Sequence, residues 1–487
     1  MDTNIEKLNP QSMWKHFKNI CNIPHPSAHT KKLAEHIVAF AKENKIDYTV
    51  DKIGNVILRK PATAGYENRK GLVLQAHMDM VPQKNGDVNF DFTKDAIEAY
   101  IDGDWVTANG TTLGADDGLG VAAILAVFEN KDLKHGNLEA LITMDEETGM
   151  YGAFAVKEDE LKGEVLINLD SETEGDIYVG CAGGVDLVGK IAYKKEDTPA
   201  NFQAIEIDIT NLKGGHSGME IILQRANSNK VLFRILNTLN NKFDIRIAEA
   251  NGGNMRNAIP REAKGLFVVA KENVKNVIAE ANEAIAKIMD EFKAVEPEMN
   301  LVVSESSKTP SKVMDKDAQN KLIWTIEAIF NGTDRMSDEM SGLVETSSNM
   351  GIITQNEDHF EINFLIRSSV DSAKDELAER MSSVFRLAGA ECNLEGGYHG
   401  WKPNMESPIL KSTLEMYNEL FGKTPEIRGI HAGLECGILG GIFPNWDMIS
   451  FGPTICYPHS PDEKVEIKST ERFFKLIEAV IENAPTK

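Results

Sequence analysis

The chain has 487 residues, 42% hydrophobic and 26% charged, enough apolar content for two or three globular domains to fill their cores. Its formal net charge of −23, with a pI near 5.0, opposes approach to nucleic acid or anionic lipid, so small peptides and cations are the easier partners. MDTNIEKLNP lacks the basic-then-apolar order of a signal peptide, and the longest apolar stretch, around Gly120–Phe128, is about half a bilayer span. The five cysteines (Cys21, Cys181, Cys392, Cys436, Cys456) form no C-x-x-C pair, so the expectation is a reduced, cytoplasmic protein without a membrane or nucleic-acid partner.

In the first third, Leu33, Ile37, Val38 and Ala41 share one face of a predicted helix, Lys31 to Lys45. Tyr48–Val50 and Asn55–Leu58 read as strands about a turn at Asp51–Gly54. The apolar run from Gly71 to Ala76 ends abruptly in His77-Met-Asp79, as a buried strand of an α/β sheet delivers ligands at its carboxyl end. The same grammar recurs at Leu138–Met144 before Asp145-Glu146-Glu147, and at Glu164–Leu169 before Asp170. Between them a helix, Leu119 to Asn130, follows Gly114-Ala-Asp116-Asp117-Gly118. Three strand ends and one helix start all present acids, which a merely solvated surface does not explain.

After Cys181-Ala-Gly-Gly184, whose glycines suggest a hinge, an inserted α/β region begins. Its first pass has a strand at Ala204–Ile209, a helix from Ala226 to Leu239, a strand at Gly265–Ala270 and a helix near Val274–Phe292. A second pass from Met299 has a helix around Ala318–Phe330, a strand at His359–Arg367 and a helix from Ala373 to Leu387. After Gly396-Gly397 come a helix, Ile409–Leu420, a strand, Asp447–Phe451, the segment Cys456-Tyr-Pro-His-Ser-Pro-Asp462, and a final helix, Ser469–Asn483. The fold class expected is α/β: a catalytic domain with a mixed central sheet flanked by helices, residues 1–183 and 398–487, interrupted by an inserted α/β lid, residues 184–397, of one or two α/β subdomains.

His77, Asp116, Glu147, Asp170 and the distant His459 supply imidazoles and carboxylates that suit a borderline-soft divalent ion, and one carboxylate can bridge two ions. Asp116 is the best bridge, because it opens a helix between the flexible Gly114 and Gly118. Helix capping would also explain Asp116 and Asp117, and half-buried histidines are common, so it is the set that counts. Asp79 is placed to accept the remaining ring N–H of His77 and fix its tautomer, and is read as supporting the ligand rather than ligating. Adjacent side chains at a strand end diverge, so one of Glu146 and Glu147 can meet a metal and the other a water.

HMDMVP, GADDG, MDEETG, NLDSE, GGHSG, HAGLECG and PHSPDE, in this order through the whole chain, resemble the co-catalytic zinc peptidases. That family includes carnosinases, aminoacylases, glutamate carboxypeptidases and the bacterial aminoacyl-histidine dipeptidases, also called peptidase D, and the motifs are most similar to this last subgroup. The resemblance implies two divalent ions, zinc in preference to cobalt or manganese. One would be held by His77, Asp116 and Asp170, the other by Asp116, Glu147 and His459. It further implies a cis Asp116–Asp117 peptide, Glu146 as general base acting on a metal-bridging hydroxide, and His216 as a lid donor to the substrate carbonyl. Arg367 would pair with a substrate carboxylate, Asn257 would help bind substrate, and Gly433 and Glu435 would meet its end groups, with Glu435 open to holding a free α-amine or forming an interior salt bridge. The implied activity is hydrolysis of unblocked dipeptides, including Xaa-His dipeptides such as carnosine, by a homodimer. A tripeptidase or N-acyl-amino-acid deacylase using the same site is the alternative. The doubled rhythm of the insert resembles relatives whose lid histidine comes from the same chain.

Overall fold

A computed structural model describes all 487 residues. The chain divides into two compact units: Met1–Gly180 with Trp401–Gly429 and Leu434–Lys487, and an inserted unit of Cys181–Gly400 with Ile430–Gly433.

The first unit is built on an eight-stranded mixed sheet. Its order is Asp47–Val50, Val56–Lys60, Leu138–Thr143, Leu72–His77, Val165–Asn168, Asp447–Ser450, Asp176–Cys181 and Glu426–Ile430. The four middle strands run parallel; Asp47–Val50 with Val56–Lys60, Val56–Lys60 with Leu138–Thr143, and Asp447–Ser450 with Asp176–Cys181 pair antiparallel. Leu72–His77, Leu138–Thr143 and Val165–Asn168 are buried at every position, which is why they read as unbroken apolar runs rather than alternating ones. The chain leaves Leu72–His77 for one neighbour, Leu138–Thr143, and then crosses to the other, Val165–Asn168. The strand order therefore reverses at Leu72–His77, and it is beyond the carboxyl ends at such a point that open α/β sheets bind ligands. Ala115–Glu129 is a helix buried almost all round, and at Gly118 it meets Phe17 of helix Gln11–Cys21 so closely that an added Cβ would lie 3.2 Å from the ring. A smaller four-stranded sheet joins Ala99–Asp102, Trp105–Ala108, Lys464–Glu466 and Ile455–Cys456.

The inserted unit has one nine-stranded antiparallel sheet. Asn300–Glu305, Phe202–Thr210, Ala263–Ala270 and Arg246–Gly252 form one half; Val344–Gln355, His359–Ser368, Gly183–Ala192 and Glu391–Tyr398 form the other, with Gly332–Met336 added alongside Val344–Gln355. The halves join through Gly252 opposite Ile353. Helices Ser228–Asn240, Val274–Phe292, Lys316–Ala328 and Asp371–Leu387 contribute to one continuous core against this sheet. The two passes, which the sequence leaves open as one subdomain or two, share a sheet and a core, since each half alone would leave an unpaired edge where they now join.

Gly183 and Gly184 are not in a flexible turn. They sit in strand Gly183–Ala192, paired with Ser368 and Arg367. A Cβ on Gly183 would lie 2.4 Å from the Gly400 nitrogen, and one on Gly184 2.6 Å from the Tyr398 ring, so close packing is what requires glycine there. Gly396, at φ +61°, and Gly397 lie at a register shift in the edge strand Glu391–Tyr398. Strand Val344–Gln355 escapes the sequence reading because its Ser, Thr and Asn residues suggest a loop, yet its first eight positions are buried. No helix is long and apolar enough to cross a membrane.

Candidate metal centre and active site

The parallel register sets His77 opposite Thr143 and Gln75 opposite Asn168, so the three acid-bearing segments leave the sheet at one edge. There Nε2 of His77 lies 3.1 Å from Asp116 Oδ1 and 3.3 Å from Asp170 Oδ1. Nε2 of His459 lies 3.2 Å from the other oxygen of Asp116, Oδ2, and 3.0 Å from Glu147 Oε1. Two ligands each about 2.0–2.1 Å from a tetrahedral ion are separated by about 3.3–3.4 Å. Both triads, His77–Asp116–Asp170 and Asp116–Glu147–His459, therefore have the spacing of a ligand set, with Asp116 common to the two. Their donors, imidazole nitrogen and carboxylate oxygen, suit a divalent ion, and a cation also offsets the burial of so many carboxylates together. Burial works against the charged form of Asp116, but hydrogen bonds from His459 and His77 hold its carboxyl far below the usual range. Hydrogen bonds to Asp116 and Glu147 push His459 up to about 11.

The surroundings explain how these side chains are held. The Asp116–Asp117 peptide is cis. Asp117 points away from the ligand group: its Oδ2 accepts from the His77 backbone N–H at 3.2 Å and its Oδ1 from that of Gly120 at 3.0 Å, so at the non-helical kink of Asp116 and Asp117 it caps the helical turns that follow and anchors the strand end. Nδ1 of His77 is 3.0 Å from the main-chain oxygen of Asp79 and 3.5 Å from its carboxylate, so the carbonyl is the better partner for the ring N–H. The Asp79 carboxylate accepts instead from Ser27 Oγ at 2.8 Å and from the backbone N–H groups of Glu146 at 2.9 Å and Glu147 at 3.3 Å. It thus ties the turn carrying both glutamates to the histidine strand. Glu146 is half-buried, and burial, reinforced by Glu435, Glu147 and Asp116, pushes it up to about 8 against the pull of His77.

Two carboxylates near the centre escaped the sequence reading, although both lie in quoted motifs. Glu463, four residues after His459, accepts from the backbone N–H groups of Leu113 at 2.7 Å, Gly114 at 3.0 Å and Ala115 at 2.7 Å. Glu172, two residues after Asp170, is pushed up to about 8 by burial and then by the charge of Asp116. Only the loop geometry reveals them. Glu435 is fully buried, where the sequence reading has it meeting a substrate amine. Its Oε2 accepts from Gln75 Nε2 at 2.5 Å and Thr143 Oγ1 at 2.7 Å, because helix Glu435–Ile442 begins with that residue turned inward.

The inserted unit gathers a second group. His216, in a short strand paired with Ala258–Ile259, accepts at Nδ1 from the backbone N–H groups of Gly218 at 3.1 Å and Met219 at 3.0 Å. Burial, then Arg367, lowers its pKa, so the ring is neutral and its proton is on Nε2, a donor. Arg367 is 5% exposed and donates to the Tyr398 hydroxyl at 3.0 Å; no carboxylate of the unit reaches ion-pair distance. His431, which the sequence reading left out, is buried beside these two residues, its Nε2 2.7 Å from Ser347 Oγ. Asn257 is exposed in a turn, and its carbonyl accepts from the Ser217 N–H at 2.9 Å. Gly433 is half-buried in the connection before helix Glu435–Ile442.

The model of peptidase family M20/M25/M40 matches residues 73–483. The chain belongs to this peptidase family. It is 45% identical to the cytosol non-specific dipeptidase of Escherichia coli (strain K12), over 99% of each chain. Among solved structures, the aminoacylhistidine dipeptidase from Vibrio alginolyticus superposes with a TM-score of 0.93 at 45% identity, covering 99% of this chain and 98% of that one. A tripeptidase from Staphylococcus aureus shares the fold, with a TM-score of 0.61 at 16% identity over 98% of each chain. The M20 fold thus accounts for the mixed α/β sheet of this chain, and the motifs that carry His77, Glu146, Glu147 and Asp170 follow the strands at the edge where its strand order reverses.

Proposed function

We propose that the chain is a metal-dependent dipeptidase acting on unblocked dipeptides, Xaa-His dipeptides among them, as a cytoplasmic homodimer. The observation that carries the reading is Asp116, whose two oxygens face two imidazoles that each have a further carboxylate at ligand spacing. The likeness to a relative named as a dipeptidase over 99% of both chains supports the substrate class.

In this reading His77, Asp116 and Asp170 hold one zinc, and Asp116, Glu147 and His459 the other. When bound, such ions lower the pKa of a water between them and polarise a carbonyl oxygen. Glu146 accepts the proton of the attacking water and delivers it to the departing nitrogen. Asp79 keeps the turn of Glu146 and Glu147 in register with His77. The inserted unit acts as a lid: His216 donates from Nε2 to the oxyanion that develops on the carbonyl, and Arg367 pairs with the substrate carboxylate. Asn257 and Gly433 contribute contacts to the rest of the substrate.

The test is a panel of Ala-His, β-Ala-His, Gly-Gly-His and an N-acetylated dipeptide incubated with zinc-loaded protein, before and after chelation. The free dipeptides are cleaved, and chelation abolishes cleavage until zinc is restored. Cleavage of the blocked compound alone makes the protein a deacylase, and cleavage of Gly-Gly-His alone a tripeptidase. Light scattering in solution checks the dimer.

A further inference from the structure

Beneath the ligand-bearing edge of the eight-stranded sheet runs a chain of buried polar side chains. Gln75, Thr143, Asn168, Ser450 and Glu435 are each 0% exposed, and Ser171 is 6% exposed. Gln75, Asn168 and Ser450 stand opposite one another in register on three adjacent parallel strands. The hydrogen bonds have a single direction. The Ser171 hydroxyl is 2.6 Å from that of Ser450, which donates to Asn168 Oδ1 at 2.5 Å; Asn168 Nδ2 donates to Gln75 Oε1 at 2.5 Å; and Gln75 Nε2 donates to Glu435 Oε2 at 2.5 Å. Thr143 adds a second donor to that same oxygen at 2.7 Å. An amide side chain can face either way, whereas Glu435 Oε2 lies between Gln75 Nε2 and Thr143 Oγ1 and accepts from both, so it sets the orientation of the groups in the row.

Three members lie close in sequence to a candidate ligand or the base. Gln75 precedes His77 by two positions on one strand and so shares its face of the sheet. Asn168 precedes Asp170 by two and faces its backbone N–H at 3.4 Å. Thr143 ends the strand leading to Glu146 and Glu147.

We propose that Glu435 is a positioning residue: as the terminal acceptor of this row it aligns the strand ends that present His77, Asp170 and the Glu146–Glu147 turn, and it does not bind the substrate amine. The inference rests on the two-metal reading above and assigns a layer of order beneath it. Removing the acceptor takes from Gln75 and Thr143 their shortest hydrogen bonds, leaving only the 3.3 Å bond from Gln75 Nε2 to Thr143 Oγ1 and the 3.2 Å bond from Thr143 Oγ1 to the Ala76 carbonyl, and the strand ends shift to compensate.

The experiment uses full-length protein with Glu435→Gln and Glu435→Ala, and Asn168→Ala and Ser450→Ala at the far end of the row. Zinc affinity is measured by competition with a chelator, coordination by the visible absorption of the cobalt-substituted protein, and kcat and KM on Ala-His. In Glu435→Gln zinc affinity falls about tenfold, as for other residues that orient metal ligands. The cobalt bands shift and kcat falls, while KM changes less than about twofold, the margin left by an unaltered substrate contact. Asn168→Ala shifts the cobalt bands as well, and it carries the test with Ser450→Ala if the Glu435 variants do not fold. A Glu435→Gln protein with unchanged cobalt bands and zinc affinity overturns the proposal; if its KM for free dipeptides is at least tenfold higher, the residue is the amine anchor instead. Wild-type protein that fails to bind two ions overturns the two-metal reading itself, independently of these variants.

Discussion

Glu463 clasps the loop that presents Asp116. One fully buried carboxylate takes the backbone N–H groups of Leu113, Gly114 and Ala115, the three residues immediately before the shared candidate ligand, and the same segment of chain carries His459. Glu463→Gln replaces an acceptor oxygen with an NH₂ group that faces donors. Hydrogen bonds to a charged group contribute about 1.5–3 kcal/mol each, and a mismatched buried donor costs a further 1–3. With one such bond lost at the oxygen that becomes NH₂ and one donor left mismatched, the expected loss is about 2.5–6 kcal/mol of stability, read from the urea midpoint, together with reduced zinc retention in dialysis.

Asp116→Ala removes a ligand from both triads at once. Metal content falls below two ions per chain by elemental analysis, and hydrolysis of Ala-His drops by at least about a thousandfold, since the activated water and the carbonyl electrophile are lost together.

Glu146→Gln separates the base from the ligands. The variant retains two ions, while kcat falls by about 10²–10⁴, the usual contribution of a positioned proton acceptor. Loss of metal in this variant would move Glu146 from base to ligand.

Gly218→Ala addresses the segment that sets His216. A Cβ there would lie 1.9 Å from the His431 carbonyl oxygen and 3.1 Å from the His216 ring, so the turn must move. The expected cost is about 1–3 kcal/mol in thermal or chemical denaturation. Catalytic efficiency falls with metal content intact, because the displaced group belongs to the inserted unit.

His431 makes stability depend on pH. Burial, and then the charges of Arg367 and His216, lower it to about 3, whereas in the unfolded chain it titrates near the ordinary value of about 6.5. The unfolded state therefore takes up the proton first as pH falls. This contribution is fully present above about 6.5 and is lost progressively down to about 3, at up to about 1.4 kcal/mol per pH unit. His431→Asn lessens the drop in urea midpoint between pH 7 and pH 5 relative to wild type.

The sequence by itself determined the elements and the ligand candidates. Unbroken apolar runs ending in acids mark buried parallel strands, because the physics that buries both faces of Leu72–His77 is local and periodic. Helices such as Val274–Phe292 follow from apolar spacing in the same way. What the tertiary structure decided is every relation that depends on orientation across long separations. Asp117 turns to the backbone of His77 while Asp116 faces both imidazoles, although the two are chemically identical neighbours. The Asp79 carboxylate serves the glutamate turn rather than the ring beside it. Gly183 and Gly184 read as a hinge until their strand partners appear, and Glu435 reads as an amine anchor or an interior ion-pair partner until its helix start turns it toward Gln75 and Thr143. A motif names the residues, but which oxygen meets which proton is set by register, helix phase and close packing among segments hundreds of residues apart, and those are properties of the assembled fold.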